Sequence, residues 1–348
     1  MSDEQDRTSE SGKCDVAFLR PGDRLDEWDA FVSESPQGCI FCKSWWLDAV
    51  CPNGFEILTL RKGGKIVAGM PLTKFRRGIW VGITMPGLTQ TLGVLLAPQQ
   101  AGGCYARLSK EMEALRALVA AIPKADFFSV AMHHTLTNWL PFYWAGYSQT
   151  TRYTYVLDDL SDPEAAFSGM APSTRNKIRK AEKSGIRVEE TEDVEAFLEL
   201  NKKTFARQGM ELPYTEAEVR RLDAACADRG ARRIFCATDG LGRTHSALYV
   251  VYDEKCMYNL MQGGDPELRS SGANPLAMWR SIQLAHELGV PYDFEGSMLA
   301  NVEGFFRSFG AAQKPYFEVS RFSSIGARAA AGLRSLATRA RRRLGLRR

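Results

Sequence analysis

The chain has 348 residues, a length typical of about two domains, and its composition (45% hydrophobic, 25% charged) is that of a globular protein. No apolar run reaches the roughly 18 residues that a membrane-spanning helix needs. The polar segment 1–13 also lacks the apolar centre of a signal peptide, so we expect a cytoplasmic protein with a flexible N-terminus at 1–13.

Basic residues are concentrated in two segments, although the net charge of the whole chain is only +4. Segment 171–187 has six basic residues against one acidic residue, and segment 319–348 has nine arginines and no acidic residue. The remainder of the chain is therefore acidic. Such basic patches suit partners that carry phosphate, such as nucleic acid, an anionic membrane surface or a nucleotide cofactor.

Eight cysteines are scattered along the chain, most of them among apolar neighbours. Cys39 and Cys42 have a spacing known from metal and redox sites. They lack a second cysteine pair and a clear partner histidine nearby. Buried thiols are therefore the favoured interpretation, and we expect no metal.

The first half of the chain predicts an α/β unit. Its elements are, in order, a helix at 42–50, strands at 55–61 and 66–72, a helix at 108–121 and a strand at 127–132. Gly63 and Gly64 supply the turn that joins the first two strands as a hairpin.

The second half repeats this layout. Its elements are, in order, a helix at 194–205, strands at 233–239, 246–252 and 256–261, a helix at 276–288 and a strand at 291–295. The glycine turns of the two hairpins, at Gly63 and Gly240, lie about half the chain apart. Because strands alternating with helices are typical of α/β units, we predict a tandem duplication whose halves meet near residues 158–172.

A basic helix is predicted at 173–184, with Ser173 or Thr174 as its cap and Gly185 as its end. At 100° per residue its charged face carries Arg175, Arg179, Lys180 and Lys183. This face must remain in water or meet anions, because only Glu182 offsets its charge locally.

The arginine-rich tail, 321–348, allows two interpretations. From residue 325 onward it has an apolar arc with arginines around it, so it could form an interfacial helix that contacts the inner membrane face peripherally. A disordered basic tail is the alternative.

The densest cluster of candidate functional residues follows the strand at 256–261, where a glycine-bearing loop leads into an apolar helix. Free backbone N–H groups at the start of a helix attract phosphate or carboxylate. The candidates for this anion site are Gln262, Arg269, Ser270, Ser271, Gly272, Ala273 and Asn274. The alternative is a plain strand-to-helix turn, in which Gly and Asn are common.

Two carboxylates, Asp293 and Glu295, stand at the end of the last strand of this half. Because side chains alternate along a strand, both should point to one face. An acid that aromatic neighbours shield can have a raised pKa and accept a proton from an amine, and Glu295 is the preferred base. The alternative is a structural role as a helix cap or as a salt-bridge partner of Arg307.

Three further residues flank these acids. Tyr258 or Tyr249 could protonate a leaving group, although both also suit a hydrophobic core. Arg307 could bind a phosphate of the donor or acceptor, or could pair with Glu295 or Glu303. Gly-x-Ser-x-Gly and His-Glu-x-x-His are absent from the sequence, which leaves serine and zinc hydrolases without support.

Five motifs follow one another along the chain: Thr174-Arg-Asn-Lys-Ile-Arg-Lys-Ala-Glu-Lys-Ser-Gly185, Asn259-Leu-Met-Gln-Gly-Gly264, Asn274-Pro275-Leu276, Asp293-Phe294-Glu295-Gly296 and Gly304-Phe-Phe-Arg-Ser-Phe-Gly310. In order and spacing they resemble FemAB-like proteins and CelD-type acyltransferases of the GNAT superfamily. The similarity covers roughly residues 40–318 and is best in the second half. No single motif is decisive.

The resemblance implies an α/β fold of two tandem GNAT-like domains, with mixed sheets flanked by helices. We place the domains at 14–158 and 159–320, the second including the basic helix 173–184, with the tail at 321–348. The catalytic groove should lie in the second domain, where its third strand splays from the strand that carries Glu295. The first domain would be degenerate and help to shape the acceptor site.

The resemblance also implies transfer of an acyl group to an amine. The donor is acyl-CoA in ordinary GNAT enzymes and aminoacyl-tRNA in the Fem proteins that build peptidoglycan cross-bridges. Ordinary GNAT pyrophosphate loops read Arg/Gln-x-x-Gly-x-Gly/Ala. Arg269 and Gly272 match the first two anchors of that loop, whereas Asn274 stands at the third.

Three functions therefore remain open. The first is an acyl-CoA-dependent N-acyltransferase acting on a small-molecule or cell-envelope amine, with backbone N–H groups near Met261 or Gln262 stabilising the oxyanion. The second is a Fem-type transferase that uses aminoacyl-tRNA and acts on a cell-wall precursor. In either enzyme Arg175, Arg179 and Lys183 could bind phosphate of tRNA or of a lipid-linked acceptor. The third is a non-catalytic module that binds anionic polymer or membrane.

Overall fold

The computed structural model describes residues 14–98, 103–324 and 326. The predicted N-terminus at 1–13 and most of the predicted tail at 321–348 lie outside the described residues. Residues 321–324 and 326 are the exception, and Arg321 and Phe322 end the last strand of the sheet. None of the helices in the described ranges is both long and apolar enough to cross a membrane.

The first half contains the α/β unit that the sequence predicts. Its elements are β1 (Asp15–Leu19), α1 (Asp26–Glu34), α2 (Ser44–Val50), β2 (Phe55–Lys62), β3 (Lys65–Arg77), β4 (Trp80–Thr84), β5 (Leu95–Leu96), α3 (Cys104–Ala121), β6 (Phe127–Ala131), α4 (Leu140–Trp144) and β7 (Ser148–Leu157). Gly63 and Gly64 form the turn between β2 and β3, both with a positive φ that glycine adopts without strain.

The second half repeats the order of helices and strands after two added helices. Its elements are α5 (Pro163–Gly169), α6 (Pro172–Lys183), β8 (Arg187–Thr191), α7 (Val194–Arg207), α8 (Glu216–Ala227), β9 (Arg232–Thr238), β10 (Thr244–Tyr252), β11 (Met257–Gly264), α9 (Ala273–Glu287), β12 (Tyr292–Asp293), α10 (Ala300–Arg307) and β13 (Ala312–Phe322). The duplication predicted from the two hairpins is therefore visible in the fold.

The two halves exchange their last strands within one continuous sheet. The strand order is β1-β2-β3-β4-β6-β13-β7-β12-β11-β10-β9-β8, and β5 pairs with β3. Strand β7, from the first half, thus pairs with β12 of the second half, and β13 pairs with β6 of the first. The expected side-by-side domains share their central strands. A cut at residue 158 leaves β7 with the first half in sequence, although β7 lies between β13 and β12 of the second half in space.

Three local predictions need correction. The basic helix α6 begins at Pro172 and has Ala171 at its N-cap without a side-chain bond, so neither Ser173 nor Thr174 caps it. Proline suits the first position of a helix because the N–H group that it lacks would have no helical acceptor there. A second helix, α8, stands between α7 and the hairpin, and the strand predicted at 291–295 keeps only two residues, β12.

Lys255, in the turn between β10 and β11, joins the two halves. Its ammonium group donates to the carbonyl oxygens of Val32 (2.9 Å), Ser35 (2.7 Å) and Gly38 (3.2 Å), which follow or end helix α1. Burial lowers the pKa of Lys255, while Asp253 and Glu254 oppose that effect. One cation thus bonds three carbonyl groups at the end of α1 and in the loop after it, and the Ser35 carbonyl also accepts from the Gly38 N–H (2.9 Å).

We predict that Lys255→Met lowers the free energy of unfolding by about 3 kcal/mol, because methionine keeps most of the stem but leaves three carbonyl groups without their charged donor. Lys110→Met, at an exposed position on α3, is the matched control and should change stability by less than about 0.5 kcal/mol. Urea unfolding measures both variants. Equal effects would show that Lys255 does not tie the halves together.

Candidate active site

A cavity of about 610 Å³ opens in the second half, between α7, β11, α9 and α10. Its walls are mostly apolar and include Phe205, Met210, Tyr214, Phe294, Val302 and Phe305. The polar groups that line it come from α7, β10, β11, the segment that leads into α9 and the segment after β12. A mostly apolar cavity with convergent polar groups is the usual form of a small-molecule site.

The cavity exists because β11 and β12 separate. They pair in parallel at only two positions, Met257 with Tyr292 and Tyr258 with Asp293. The fork is the point after Tyr258 and Asp293 where the two strands separate. Beyond this fork, β12 ends and β11 continues to Gly264. The register of β11 against β10 shifts between Tyr249 and Val250, a bulge that leaves an extra residue on β11 at Leu260. A bulge interrupts the ladder and re-aims the groups beside it.

The predicted anion turn stands at one end of the cavity. Gly272 ends a single 3-10 turn with φ of +83° and is the N-cap of α9, which has no side-chain cap bond. A Cβ atom at Gly272 would collide with the carbonyl oxygen of Lys177 on α6, so glycine is required there. In the first turn of α9, the Ala273 N–H donates to Ser271 Oγ (3.3 Å) and Pro275 has no N–H. The Asn274 N–H lacks a helical acceptor and can therefore meet an anion.

The structure brings only part of the predicted anion set to the cavity. Arg269, Ser271, Ala273, Asn274 and Gln262 line it. Ser270 is exposed outside the cavity wall, and Gly272 is buried against α6. Helix α6 supports the turn from behind and leaves its front open.

Glu295 lines the same cavity at the mouth of the fork. Its φ is +59°, and that of Gly296 is +61°. Only glycine fits at position 296, because a Cβ atom there would collide with the carbonyl oxygen of Tyr153. Within the described part of the chain, its Oε1 atom is buried without a hydrogen-bond partner. Burial, and then the charge of Asp293, raise the pKa of Glu295 well above its ordinary value.

Asp293 has a different position from the one predicted. The left-handed backbone at Glu295 breaks the alternation of a strand, so the two acids do not share the cavity wall. Asp293 is 3% exposed, and its carboxylate accepts from the hydroxyl of Thr154 and from the backbone N–H of Glu295 (2.7 Å). Burial raises the pKa of Asp293 to about 6, although the Thr154 bond opposes the rise.

Three other candidates do not reach the cavity. Tyr258 is 3% exposed and packs edge-on against Phe41, with ring centroids 4.8 Å apart, so it belongs to the core. Tyr249 is also in the core, where its hydroxyl donates to Asp223 (3.0 Å). Arg307 lies on the exposed side of α10 and pairs with Glu303 (2.8 Å), the structural alternative considered for it.

The basic face of α6 lies outside the cavity wall. Arg179 and Lys183 are exposed, and the Arg179 guanidinium stands 5.2 Å from the ring centroid of Phe167. Arg175 is half-buried, and its Nε atom has no partner among the described residues. The opposite face, with Ile178 and Ala181, packs in the core as the pattern predicts.

Sequence reasoning did not single out Asn259 and Asn201, which line the cavity. Asn201, on α7, donates to the carbonyl oxygen of Gln262 (2.9 Å) and accepts from the Tyr214 hydroxyl (3.0 Å). The Oδ1 atom of Asn259 is buried and lacks a partner within the described ranges. An asparagine inside a strand is a signal that could have drawn attention to Asn259, because such residues are depleted in strands.

The described residues contain no group of three or more His, Cys, Asp or Glu side chains able to hold a metal ion. The Cys39 and Cys42 sulfur atoms are 3.8 Å apart and buried as free thiols. The contact with Cys39, and then burial, raise the pKa of Cys42, which makes its thiolate scarce.

The class of the second half follows from its sequence and geometry together. Residues 171–304 match the family model of the acetyltransferase (GNAT) domain. This segment contains α6, the anion turn, the fork and Glu295. The second half is therefore a GNAT acyltransferase domain. No curated protein matches the chain.

Solved structures share the fold of most of the chain. FemX has a TM-score of 0.67 and 15% identity, over 86% of this chain and 96% of FemX. A tandem GNAT protein from the clavulanic acid biosynthesis pathway has a TM-score of 0.52 and 12% identity, over 90% and 99%. L-PGS from Bacillus licheniformis has a TM-score of 0.51 and 12% identity, over 88% and 93%. The predicted tandem GNAT-like fold is thus confirmed.

Asp293 gives the folding free energy a pH dependence. The unfolded chain has an Asp pKa of about 4, and the fold raises the pKa of Asp293 to about 6. The folded protein therefore holds this proton more tightly. The resulting stabilisation is present below about pH 4 and is lost as the pH rises to about 6.

We predict that Asp293→Asn raises the free energy of unfolding at pH 8 by up to about 3 kcal/mol, since asparagine cannot ionise. At pH 4.5 the gain should be much smaller. Urea unfolding at both pH values is the measurement, and Asp228→Asn, at an exposed site, is the control with little change at either. A gain that does not depend on pH would contradict this account.

Proposed function

We propose that the protein is an N-acyltransferase that takes an acyl group from acyl-CoA and transfers it to an amine held beside Glu295. The observation that carries this proposal is that the uncapped start of α9 and the unpaired carboxyl oxygen of Glu295 line one cavity. An anionic carrier at one end and a reacting amine at the other suit acyl transfer. The acceptor is a small-molecule or cell-envelope amine.

The residues before α9 suit the diphosphate of CoA. The Asn274 N–H and the helix dipole attract negative charge, and Arg269, on the 3-10 turn before α9, adds a cation. When bound, acyl-CoA supplies an activated thioester carbonyl. Backbone N–H groups near Met261 or Gln262, next to the bulge, would stabilise negative charge on that carbonyl oxygen.

Glu295 is the proposed base. Its ionised carboxylate takes one proton from the acceptor ammonium, and the neutral amine then attacks the carbonyl carbon. The N–C bond forms as the C–S bond breaks, and the departing sulfur takes a second proton from the nitrogen. A carboxylate with a raised pKa accepts a proton from an ammonium more readily than an ordinary carboxylate does.

We predict that Glu295→Gln lowers kcat at least 100-fold with little change in KM for acetyl-CoA, because the amide cannot accept the proton. Release of free thiol from acetyl-CoA measures the rate. The wild-type rate should fall as the pH drops below the raised pKa of Glu295, and this limb should be absent in the variant. Glu267→Gln, on the exposed loop before the turn, is the control and should keep the wild-type rate.

An aminoacyl-tRNA donor is the second candidate, and one contact favours it. The basic helix α6 packs directly behind the anion turn, at Gly272, so its exposed cations extend the positive surface away from the cavity. A longer polyanion could use that surface. The fold likeness to FemX is compatible with this donor as well as with acyl-CoA.

RNase treatment separates the two donors. If acyl-CoA is the donor, transfer of a labelled acetyl group from acetyl-CoA to an amine should survive RNase unchanged. A reversal of charge on α6, Arg179→Glu with Lys183→Glu, should then change the rate less than twofold at 150 mM salt. Transfer that depends on aminoacyl-tRNA and is lost both with RNase and in this variant would replace the acyl-CoA proposal.

A further inference from the structure

Phenylalanine rings form a row across four neighbouring strands at one end of the sheet, in the first half of the fold. The residues that pair there across β3, β4, β6 and β13 are Phe75, Gly82, Phe127 and Phe322. The Phe75 ring lies directly over Gly82, where a Cβ atom would be 2.0 Å from it, and the Phe127 and Phe322 ring centroids are 4.6 Å apart. Because paired residues of neighbouring strands project to one face of a sheet, the three rings share a face.

This row is open to solvent, and the turn between β3 and β4 extends it. Phe75 is 40% exposed, Phe322 is 37% exposed and Ile79, in that turn, is 84% exposed. Trp80 begins β4 two residues before Gly82, so it projects to the same face as the row. Scattered exposed apolar residues are ordinary, whereas a contiguous group marks a surface that meets a partner. We call this group the apolar strip: Phe75, Ile79, Trp80, Phe127 and Phe322.

Basic residues flank the apolar strip, and the arginine-rich end of the chain begins beside it. Segment 74–80 carries three basic residues and no acidic one. Lys74 pairs with Glu56 (2.5 Å), whereas Arg76 is exposed. Gly326 lies against the ring of Trp80, since a Cβ atom on it would be 2.7 Å from that ring. The residues that follow, 327–348, contain eight arginines and no acidic residue.

The charge and the apolar side chains together indicate the partner. A second copy of this chain would bring a second basic surface, and segment 327–348 has the same sign of charge, so repulsion opposes either as the cover of the strip. Nucleic acid would meet the arginines through its phosphates but offers the Ile79 side chain no apolar environment. An anionic bilayer satisfies both features, because lipid headgroups attract arginine while aromatic and aliphatic side chains enter the boundary of the acyl chains.

We propose that the apolar strip and segment 327–348 together dock the protein on an anionic lipid bilayer. Ile79 and Trp80 enter the headgroup boundary, and the arginines hold the adjacent lipid phosphates. One weak signal gives only marginal, reversible membrane binding, and stable binding takes two. None of the residues of the apolar strip lines the cavity, so this surface is separate from the candidate active site and does not depend on the identity of the acyl donor.

Co-sedimentation of the full chain with lipid vesicles at about 150 mM salt tests the proposal. We expect wild-type protein to bind vesicles of about one third phosphatidylglycerol in phosphatidylcholine at least about 10-fold more tightly than vesicles of phosphatidylcholine alone. Ile79→Asp should weaken binding to the anionic vesicles about 10-fold, because it replaces an apolar side chain at the membrane by a charge that anionic lipid repels.

Leu241→Asp is the matched control for Ile79→Asp. Leu241 is 80% exposed in the turn between β9 and β10 of the second half, and the substitution makes the same change of charge. It should bind the anionic vesicles as wild-type protein does. Thermal unfolding should show that both variants are folded, since both sites are exposed. Arg341→Glu with Arg342→Glu and Arg343→Glu should remove the preference for anionic lipid.

The proposal is overturned if wild-type protein does not bind the anionic vesicles, if Ile79→Asp binds them as tightly as the control does, or if the three arginine substitutions keep the lipid preference. A wild-type dimer that Ile79→Asp converts to monomer, in sedimentation without vesicles, would instead make the apolar strip a protein interface. Binding to tRNA that exceeds binding to vesicles and does not change in Ile79→Asp would assign the arginines to nucleic acid. These measurements do not involve acyl transfer, so the proposed function is tested separately.

Discussion

The site depends on the early end of one parallel ladder. After two pairs, the chain that follows β12 turns away from β11 and toward β7. Phe294 N–H donates to the carbonyl oxygen of Tyr155 (2.9 Å), Glu295 N–H donates to Asp293, and Gly296 fits against the carbonyl of Tyr153. The Phe294 bond continues the pairing with β7, and the Asp293 side chain accepts the Glu295 N–H, so neither N–H group pairs with β11. The space that these contacts open is the cavity, and the arms of the fork carry its two unpaired oxygens.

The first half of the chain supplies the support for this turn. Strand β7 lies beside β12 because the halves exchange their last strands, and its Thr154 donates to Asp293. Gln90, in the loop after β4, in turn donates to the Thr154 hydroxyl (3.2 Å). A degenerate first half that helps to shape the acceptor site was the expectation from the sequence. The contacts connect the first half to the site more directly, because Thr154 of the first half donates to Asp293, the acid next to Glu295.

Local sequence patterns predicted both hairpins and the helices α2, α3, α6, α7 and α9, but several other elements were missed. Glycine pairs marked both hairpins, and Gly185, with φ of +80°, ends α6 as expected. Helix α8 was missed although Thr215 and Glu218 form a capping box, a pattern that sequence alone displays. The exchange of β7 and β13 could not be predicted, because strand pairing between distant segments leaves no local signature.

The candidate site divides in the same way. The turn from Arg269 to Asn274 was predictable because a glycine directly before an apolar periodic segment indicates a turn at the start of a helix. The separation of Asp293 from Glu295 was not, because strand alternation fails when one residue adopts the left-handed region, and Glu295 is not a residue that usually does so. Asn259 acquires its importance only from the fork, which depends on contacts with β7.

The two acids are better understood as one electrostatic unit than as two candidate bases. Thr154 and the Glu295 N–H both donate to Asp293 and favour its ionised form, against the burial that raises its pKa to about 6. At neutral pH a negative charge is therefore held beneath Glu295, and that charge contributes to the raised pKa of Glu295. A base is most effective when its pKa lies near the working pH. The hydrogen bonds from the first half thus adjust the proton affinity of a group in the second, which gives a physical reason for the two halves to share their central strands.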